Sequence, residues 1–253
     1  MGLFDRLFGK ERPDESGSGR SSTPPNVPAS AYEVIQCHGK EAVQRCLQLR
    51  EEGSRAGFYP IIIGDAEEMQ RVVGADIETE GSEQVQAILT SAAKIDPVKF
   101  FENRKGGDQE YYDHIELGEW PATLPGEQPI TVVSEILTGA TKPKVFIAKI
   151  PTTRSYEVPA YLSWGGWNEC PMPEEHVAVL RHWNEVYGAD IISLTGDVLE
   201  CTVSRPPTDK EGAFRLAHEQ FLYCSDIVYQ GVETLYALAA QLINSRTWYF
   251  WWD

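Results

Sequence analysis

The sequence predicts an α/β fold, with mixed α+β as the alternative: a twisted mixed sheet flanked by helices, a C-terminal antiparallel hairpin, and a buried Trp-rich final strand. Three observations carry this. From Tyr32 onward, apolar stripes of helical period alternate with short runs of branched residues. Two apolar runs flank Gly196-Asp197, a hairpin signal. Six of the seven tryptophans lie between Trp164 and Trp252, and the run Thr247–Trp252 is almost wholly aromatic.

Residues 1–30 read as a short amphipathic terminus and a flexible linker. Leu3, Phe4, Leu7 and Phe8 share one helical face beside Arg6 and Lys10, a weak membrane- or partner-docking pattern. The Pro-, Ser- and Gly-rich stretch behind them has almost nothing to bury. Residues 31–253 read as a single compact body. Tyr32–Cys37 is a strand, Lys40–Glu52 a helix ended by Gly53, and Phe58–Ile63 a buried strand. Asp65 caps a helix over Ala66–Val73. This β-α-β-α order predicts adjacent parallel strands joined by a right-handed crossover. Ser82–Ile95 is a helix with Ser82 as its cap, and Asp96-Pro97 restarts a shorter one. Lys105–Asp113 is polar and expected to be mobile. Gly118–Lys144 is loop, with one short helix around Thr131–Leu137. Lys144–Ile150 is a strand and Pro151–Pro159 a loop.

Residues 160–253 form a C-terminal module within that body. Ala160–Trp164 reads as a strand running into Gly165–Pro171. Pro173–Tyr187 is a helix closed by Gly188. The hairpin strands are Ala189–Leu194 and Val198–Ser204. Thr208-Asp209-Lys210-Glu211 reads as a capping box for a helix reaching Tyr223, and Val232–Ile243 as a further helix. Thr247–Trp252 carries large aromatics on both faces, so it is expected inside the sheet rather than at an edge. A chain ending at Ser245 is accordingly expected to be insoluble. The order helix, Gly, strand, Gly-Asp at Gly57–Asp65 recurs at Gly188–Asp197, too briefly to make a repeat.

The 253 residues are 42% hydrophobic and 24% charged, ordinary for a globular protein able to bury a substantial core. The formal charge is −16. A binder of phosphate backbones shows a basic footprint, so no nucleic-acid partner is expected. A basic protein partner suits the field. No apolar run approaches the roughly 20 residues that span a bilayer, so no stable membrane insertion is expected. The five cysteines are odd in number, form no CxxC and follow no secretion signal, which predicts reduced thiols and a cytoplasmic protein.

Three constellations bear on chemistry. The first is Gly165–Pro171, where Trp167, Asn168 and Glu169 sit in a loop after an expected strand, a common place for sites. The competing reading is a structural turn with Trp167 in the core. Cys170 would act as a nucleophile only beside a base such as His176, His182 or His218. The second is the hairpin, where Asp190 and Glu200 faintly resemble a nuclease core, with Thr202 standing where that core has lysine. A Gly196-Asp197 loop pairs Leu194 with Leu199 and Ile192 with Cys201. It then places Asp190 on the core face and Glu200 on the other, unable to share a metal. The third is Asp226, Tyr229 and Gln230, which line a pocket with Asn168 and Glu169 or else cap helix ends. His176 and His182 are six apart rather than four, so no metal site is expected. No phosphate loop or nucleotide fingerprint is present, no cofactor is expected, and no catalytic residue is assigned.

The runs Gly165-Gly166-Trp167-Asn168-Glu169-Cys170-Pro171, Ser204-Arg205-Pro206-Pro207, Leu222-Tyr223-Cys224-Ser225-Asp226-Ile227-Val228 and Trp248–Asp253 resemble a bacterial family of uncharacterised proteins, domain of unknown function 4253. The resemblance is close from Ala160 to Asp253 and looser over Gly57–Gly64. It implies an intracellular bacterial protein, and it brings no reaction, cofactor or catalytic residue.

The reading the sequence favours is a non-catalytic protein–protein interaction module, for example an acidic inhibitor or immunity-type protein, and the balance leans against an enzyme. The alternative is a small-molecule-binding or hydrolytic enzyme with its site on the rim of the C-terminal module, at Trp167, Asn168, Glu169, Asp226, Tyr229 and Gln230. A degenerate nuclease-like fold is the remote alternative.

Overall fold

A computed structural model describes residues 30–74, 81–107, 114–135 and 137–253. The expected docking segment at Met1–Gly9, the linker behind it up to 29, and residues 108–113 of the polar stretch 105–113 lie outside the described residues, while Lys105–Gly107 of that stretch end a helix instead of a mobile loop.

Six strands form one sheet in the order β1-β3-β2-β4-β5-β6. They are β1 (Val34–Cys37), β2 (Tyr59–Gly64), β3 (Val145–Ile150), β4 (Ala189–Leu194), β5 (Val198–Val203) and β6 (Thr247–Trp251). Neighbours run antiparallel, except that β2 and β4 are parallel. The expected adjacency of the first two strands fails, because β3 lies between them and antiparallel to both. Burial explains the order. Nearly every residue of β3 is buried on both faces, whereas β1 is only partly buried and belongs at an edge.

Helix α1 (Gly39–Ala56) covers one face, packing Ala42, Cys46 and Leu49 on Ile62, Ile147 and Ile192. It runs past Gly53, which is buried against Phe58, and ends at Gly57 in the left-handed conformation. The other face carries the larger core and is covered by α2 (Ala66–Val73), α4 (Pro97–Gly107), α6 (Pro173–Tyr187), α7 (Lys210–Tyr223) and α8 (Leu235–Leu242). Helix α3 (Ser82–Ala92) packs on α6 through Val85, Ile88 and Val177. The α1-Gly57-β2 and α6-Gly188-β4 units, which echo each other in sequence, thus place neighbouring parallel strands with their helices on opposite faces.

Several local readings change. Asp65 does cap α2, accepting from the amides of Glu67 and Glu68. Helix α3 begins after Gly81 without a side-chain cap, so Ser82 is its first residue and not its cap. The described part of 131–137 forms turns, and Ile130 and Val132 lie down on the α1 face of the sheet. Residues expected as loop and strand around Ala160 are a 3-10 turn (Ser155–Glu157) and helix α5 (Val158–Leu162), because Pro159 in the first turn is preset for helix. Helix α7 is capped by Asp209, not Thr208, and Glu211 bonds Arg215 instead of closing a box. Of the last expected helix, Val232 belongs instead to a preceding π turn (Val228–Val232), and α8 begins after Thr234, whose hydroxyl accepts from the Ala237 amide.

The hairpin keeps the expected pairing of Leu194 with Leu199, but a bulge between Ile191 and Ser193 sets Ile191, not Ile192, opposite Cys201. Ile192 then turns to the α1 face. The bulge is held by the Ile191 carbonyl, which accepts from Arg50 Nη2 at 2.8 Å and from Tyr59 Oη at 3.0 Å. Asp190 consequently pairs with Thr202 rather than lying on the core face, and its carboxylate bonds Ser155 and Asn184. Gly196 in the hairpin loop does not have a positive φ. A Cβ there would meet the Arg71 guanidinium, the movable end of a half-exposed side chain.

The final strand is an edge strand, contrary to its expected place inside the sheet. Only one of its faces is fully covered. Trp248, Phe250 and Trp252 are buried, whereas Tyr249 remains 39% exposed. Among the described residues no helix is long and apolar enough to cross a membrane.

Candidate functional site

Strand β6 pairs with β5 in a register fixed by two bonds at its ends, Trp252 N to Asp197 O and Val203 N to Arg246 O. Bonding alternates along an antiparallel pair, so Trp248 and Phe250 also face β5, while Thr247, Tyr249 and Trp251 turn their backbone outward. Two side chains blunt that outer edge. Ser245 Oγ donates to the Thr247 carbonyl, and Cys224 Sγ to the Trp251 carbonyl. Between them the amide and carbonyl of Tyr249 and the amide of Trp251 take no partner among the described residues.

A cleft of about 690 Å3 runs along this edge. One wall is the 128–142 loop, anchored by Thr247 Oγ1 donating to the Gln128 carbonyl. The other is built from α7, the π turn and α8, with Leu238 and Leu242 as its apolar lining. Two donors in the cleft are buried and unsatisfied: Gln220 Nε2 and Trp248 Nε1, on residues 1% and 3% exposed. An orphaned buried donor is costly and calls for a partner such as a ligand atom or water; Arg50 Nε and Trp252 Nε1 are orphaned in the same way outside the cleft. Four carboxylates line the cleft, from Glu68, Glu135, Asp197 and Asp226. The only cation among its described lining residues, Lys142, is bonded to Asp65 at 2.7 Å, and Arg71 beside the cleft pairs with Glu68 at 3.7 Å and with Asp197 at 3.9 Å, which leaves Glu135 and Asp226 without an ion-pair partner among the described residues.

The six candidate residues are divided by the fold. Asp226 and Gln230 line the cleft and bond each other, Gln230 Nε2 donating to Asp226 Oδ1 at 3.0 Å. Asn168 and Asp226 do come together, but around the chain end: Asn168 Nδ2 donates to the Asp253 carbonyl, and the Asp253 amide to Asp226 Oδ2. Asn168 itself adopts a left-handed φ of 44°. Trp167 packs edge-on against Trp164, and Tyr229 edge-on against Phe221. Glu169 faces a different cleft, between α4 and the 165–175 loop, where its carbonyl and carboxylate engage Arg104. Gln220 and Trp248 were not singled out by sequence reasoning. A glutamine amid apolar helix positions is a weak signal that could have pointed to the first.

Cys170 does have a histidine neighbour. Its Sγ lies 3.3 Å from His176 Nε2, and His176 Nδ1 lies 2.5 Å from Tyr223 Oη. Gly165 makes room for this chain, since a Cβ there would stand 2.8 Å from the imidazole. All three side chains are buried, beneath Trp164 and Trp252. Burial pushes the His176 imidazole down to about 3 and the Cys170 thiol upward. A nucleophilic thiolate–imidazolium pair needs the opposite shifts, so the chain is a neutral hydrogen-bonded relay that fixes the core.

Glu200 is likewise structural. Its carboxylate is buried and accepts from Thr131 N at 2.6 Å, Thr131 Oγ1 at 2.9 Å and Ser193 Oγ at 2.5 Å. It staples the 128–142 loop to the sheet and thereby shapes one wall of the cleft. Asp190 takes separate partners, and among the described residues no group of three or more metal-ligating side chains occurs.

Residues 146–253 match the family model described as a domain of unknown function, DUF4253. The match starts earlier than Ala160 and takes in β3. No match was found among curated proteins or among solved structures.

Proposed function

We propose that this chain, which carries a DUF4253 domain at residues 146–253, is a non-catalytic protein-binding module of the bacterial cytoplasm that takes a basic partner at the β6 cleft. The observation that carries the reading is the cleft itself: four carboxylates, of which Glu68 and Asp197 also pair with Arg71, a lysine already bonded to Asp65, and an open strand edge between them. On a chain of formal charge −16, this arrangement steers a cationic partner and repels an acidic one. Five free thiols, four of them buried, fit a reducing compartment. An acidic inhibitor or immunity-type protein is one concrete form of such a module.

Affinity capture from a bacterial host at low salt, comparing the wild-type chain with Glu135→Lys, tests this. Recovery of a basic protein that salt releases and the variant fails to hold is the expected outcome. Recovery of no partner, or of the same partner by both chains at every salt concentration, refutes it.

A second reading has its own support. Gln220 Nε2 and Trp248 Nε1 would also suit a small molecule bearing an oxygen acceptor, in a cleft of the volume such ligands occupy.

A further inference from the structure

We propose that the open edge of β6 is a strand-addition site: an extended, lysine-bearing peptide segment pairs with Tyr249 and Trp251 and sets a side-chain oxygen against Gln220 Nε2 and Trp248 Nε1. This rests on the reading of the chain as a module for a basic partner and adds the mode of recognition.

The backbone defines the length. Ser245 and Cys224 close the edge at either end, leaving the Tyr249 amide and carbonyl and the Trp251 amide. One peptide residue opposite Tyr249 exchanges two hydrogen bonds with it, as a bonded pair does in any antiparallel ladder. An unpaired edge of this kind is otherwise a liability, and proteins normally cover or charge it.

The side chains define the pattern. Cross-strand partners share a face. The peptide residue opposite Tyr249 therefore lies on that ring's side of the sheet, the side on which the 128–142 loop that carries Glu135 packs through Ile130 and Val132. A lysine there meets negative charge with no competing free cation among the described lining residues. Its two neighbours in the peptide point to the face of Trp248 and Phe250, where Gln220 lies. A side-chain oxygen at one of them supplies the acceptor that both buried donors lack. The segment is thus specified as basic on alternate residues, with Asn, Gln, Ser or Thr between.

A library of nine-residue peptides with lysine at alternate positions and the intervening positions varied, presented to the full-length chain, tests this. Selected peptides are expected to carry an oxygen-bearing side chain at an intervening position. Binding should slow hydrogen exchange at the Tyr249 and Trp251 amides and shift the Trp248 Nε1–H resonance. N-methylating the peptide residue that pairs with Tyr249 should weaken binding about tenfold. Tyr249→Pro, which removes one outward amide at an edge position that tolerates proline, should do the same. If N-methylated and unmodified peptides bind alike and the two amides exchange unchanged, strand addition is wrong while the basic-partner reading stands. If no lysine-alternating peptide binds, both are wrong.

Discussion

His176 is the residue whose chemistry is most altered by the fold. In the unfolded chain its imidazole takes up a proton as the pH falls through 6.5, whereas in the native core it stays neutral down to about 3. Between those values the unfolded state binds more protons, so native stability falls with the pH. The slope approaches about 1.4 kcal/mol per pH unit from this one group. Urea denaturation at pH 6.5 and pH 4.5 should show the wild-type chain losing about 2 kcal/mol more than His176→Gln over that interval. Equal losses would mean that the imidazole is not buried as described. Tyr59 offers a second residue-scale test. Its hydroxyl shares the Ile191 carbonyl with Arg50, so Tyr59→Phe should lower stability by about 1 kcal/mol in the same assay. No loss would show that the bulge does not depend on this bond. Neither role was legible in the sequence. Arg50 and Tyr59 reach the bulge from more than 130 positions away, and local pattern carries no trace of such contacts. Cys170 and His176 were visible as a possible pair, but the pattern did not say that both are buried.

At the scale of elements, the sequence was most readable where local chemistry decides. Asp65 caps α2, Gly188 closes α6, and the Leu194–Leu199 pairing follows from the apolar alternation. It misled where an apolar run suits helix and strand equally. Ala-Tyr-Leu-Ser-Trp at 160–164 looks like a strand, yet Pro159 and the packing of Ala160 on Val177 make its start helical. Strand β6 is the other instance. Its aromatic density suggested two covered faces, but the alternation in burial shows one, with Tyr249 left outward beside the cleft. Its contribution is large all the same. Trp248 and Phe250 pack on Trp183, and Trp252 on Trp164, His176 and Tyr223. Ending the chain at Ser245 removes all three anchors, a loss several times the ~3–5 kcal/mol of one aromatic truncation. The shortened chain should collect in the insoluble fraction. Soluble protein with a single cooperative unfolding transition would contradict the role given to β6.

For the whole molecule, the sheet does not respect the boundary of the matched domain. All of strand β3 except Val145 lies inside residues 146–253, but β2, which joins it to β4, lies upstream at Tyr59–Gly64. Helices α1 to α4, which complete both faces, are also upstream. A fragment of residues 146–253 alone should therefore lack a cooperative thermal transition, which scanning calorimetry reads directly, and a sharp transition would show the domain to be self-sufficient. The cleft has the same dependence. Its floor is β6, its loop wall comes from 128–142, and Glu68 reaches it from α2. That assembly was not legible in the sequence, which named Asp226 and Gln230 but could not say that a strand edge would open beside them.

The acidic edge of β6 is proposed to receive a cationic partner. The most direct measurement is the dissociation constant of a lysine-alternating nine-residue peptide for the wild-type chain and for Glu135→Lys, at about 50 mM and about 300 mM salt. At low salt the wild type should bind about fivefold or more tightly than the variant, and the gap should close as salt screens the charges. Equal affinities at low salt, or a gap that salt does not change, would contradict it.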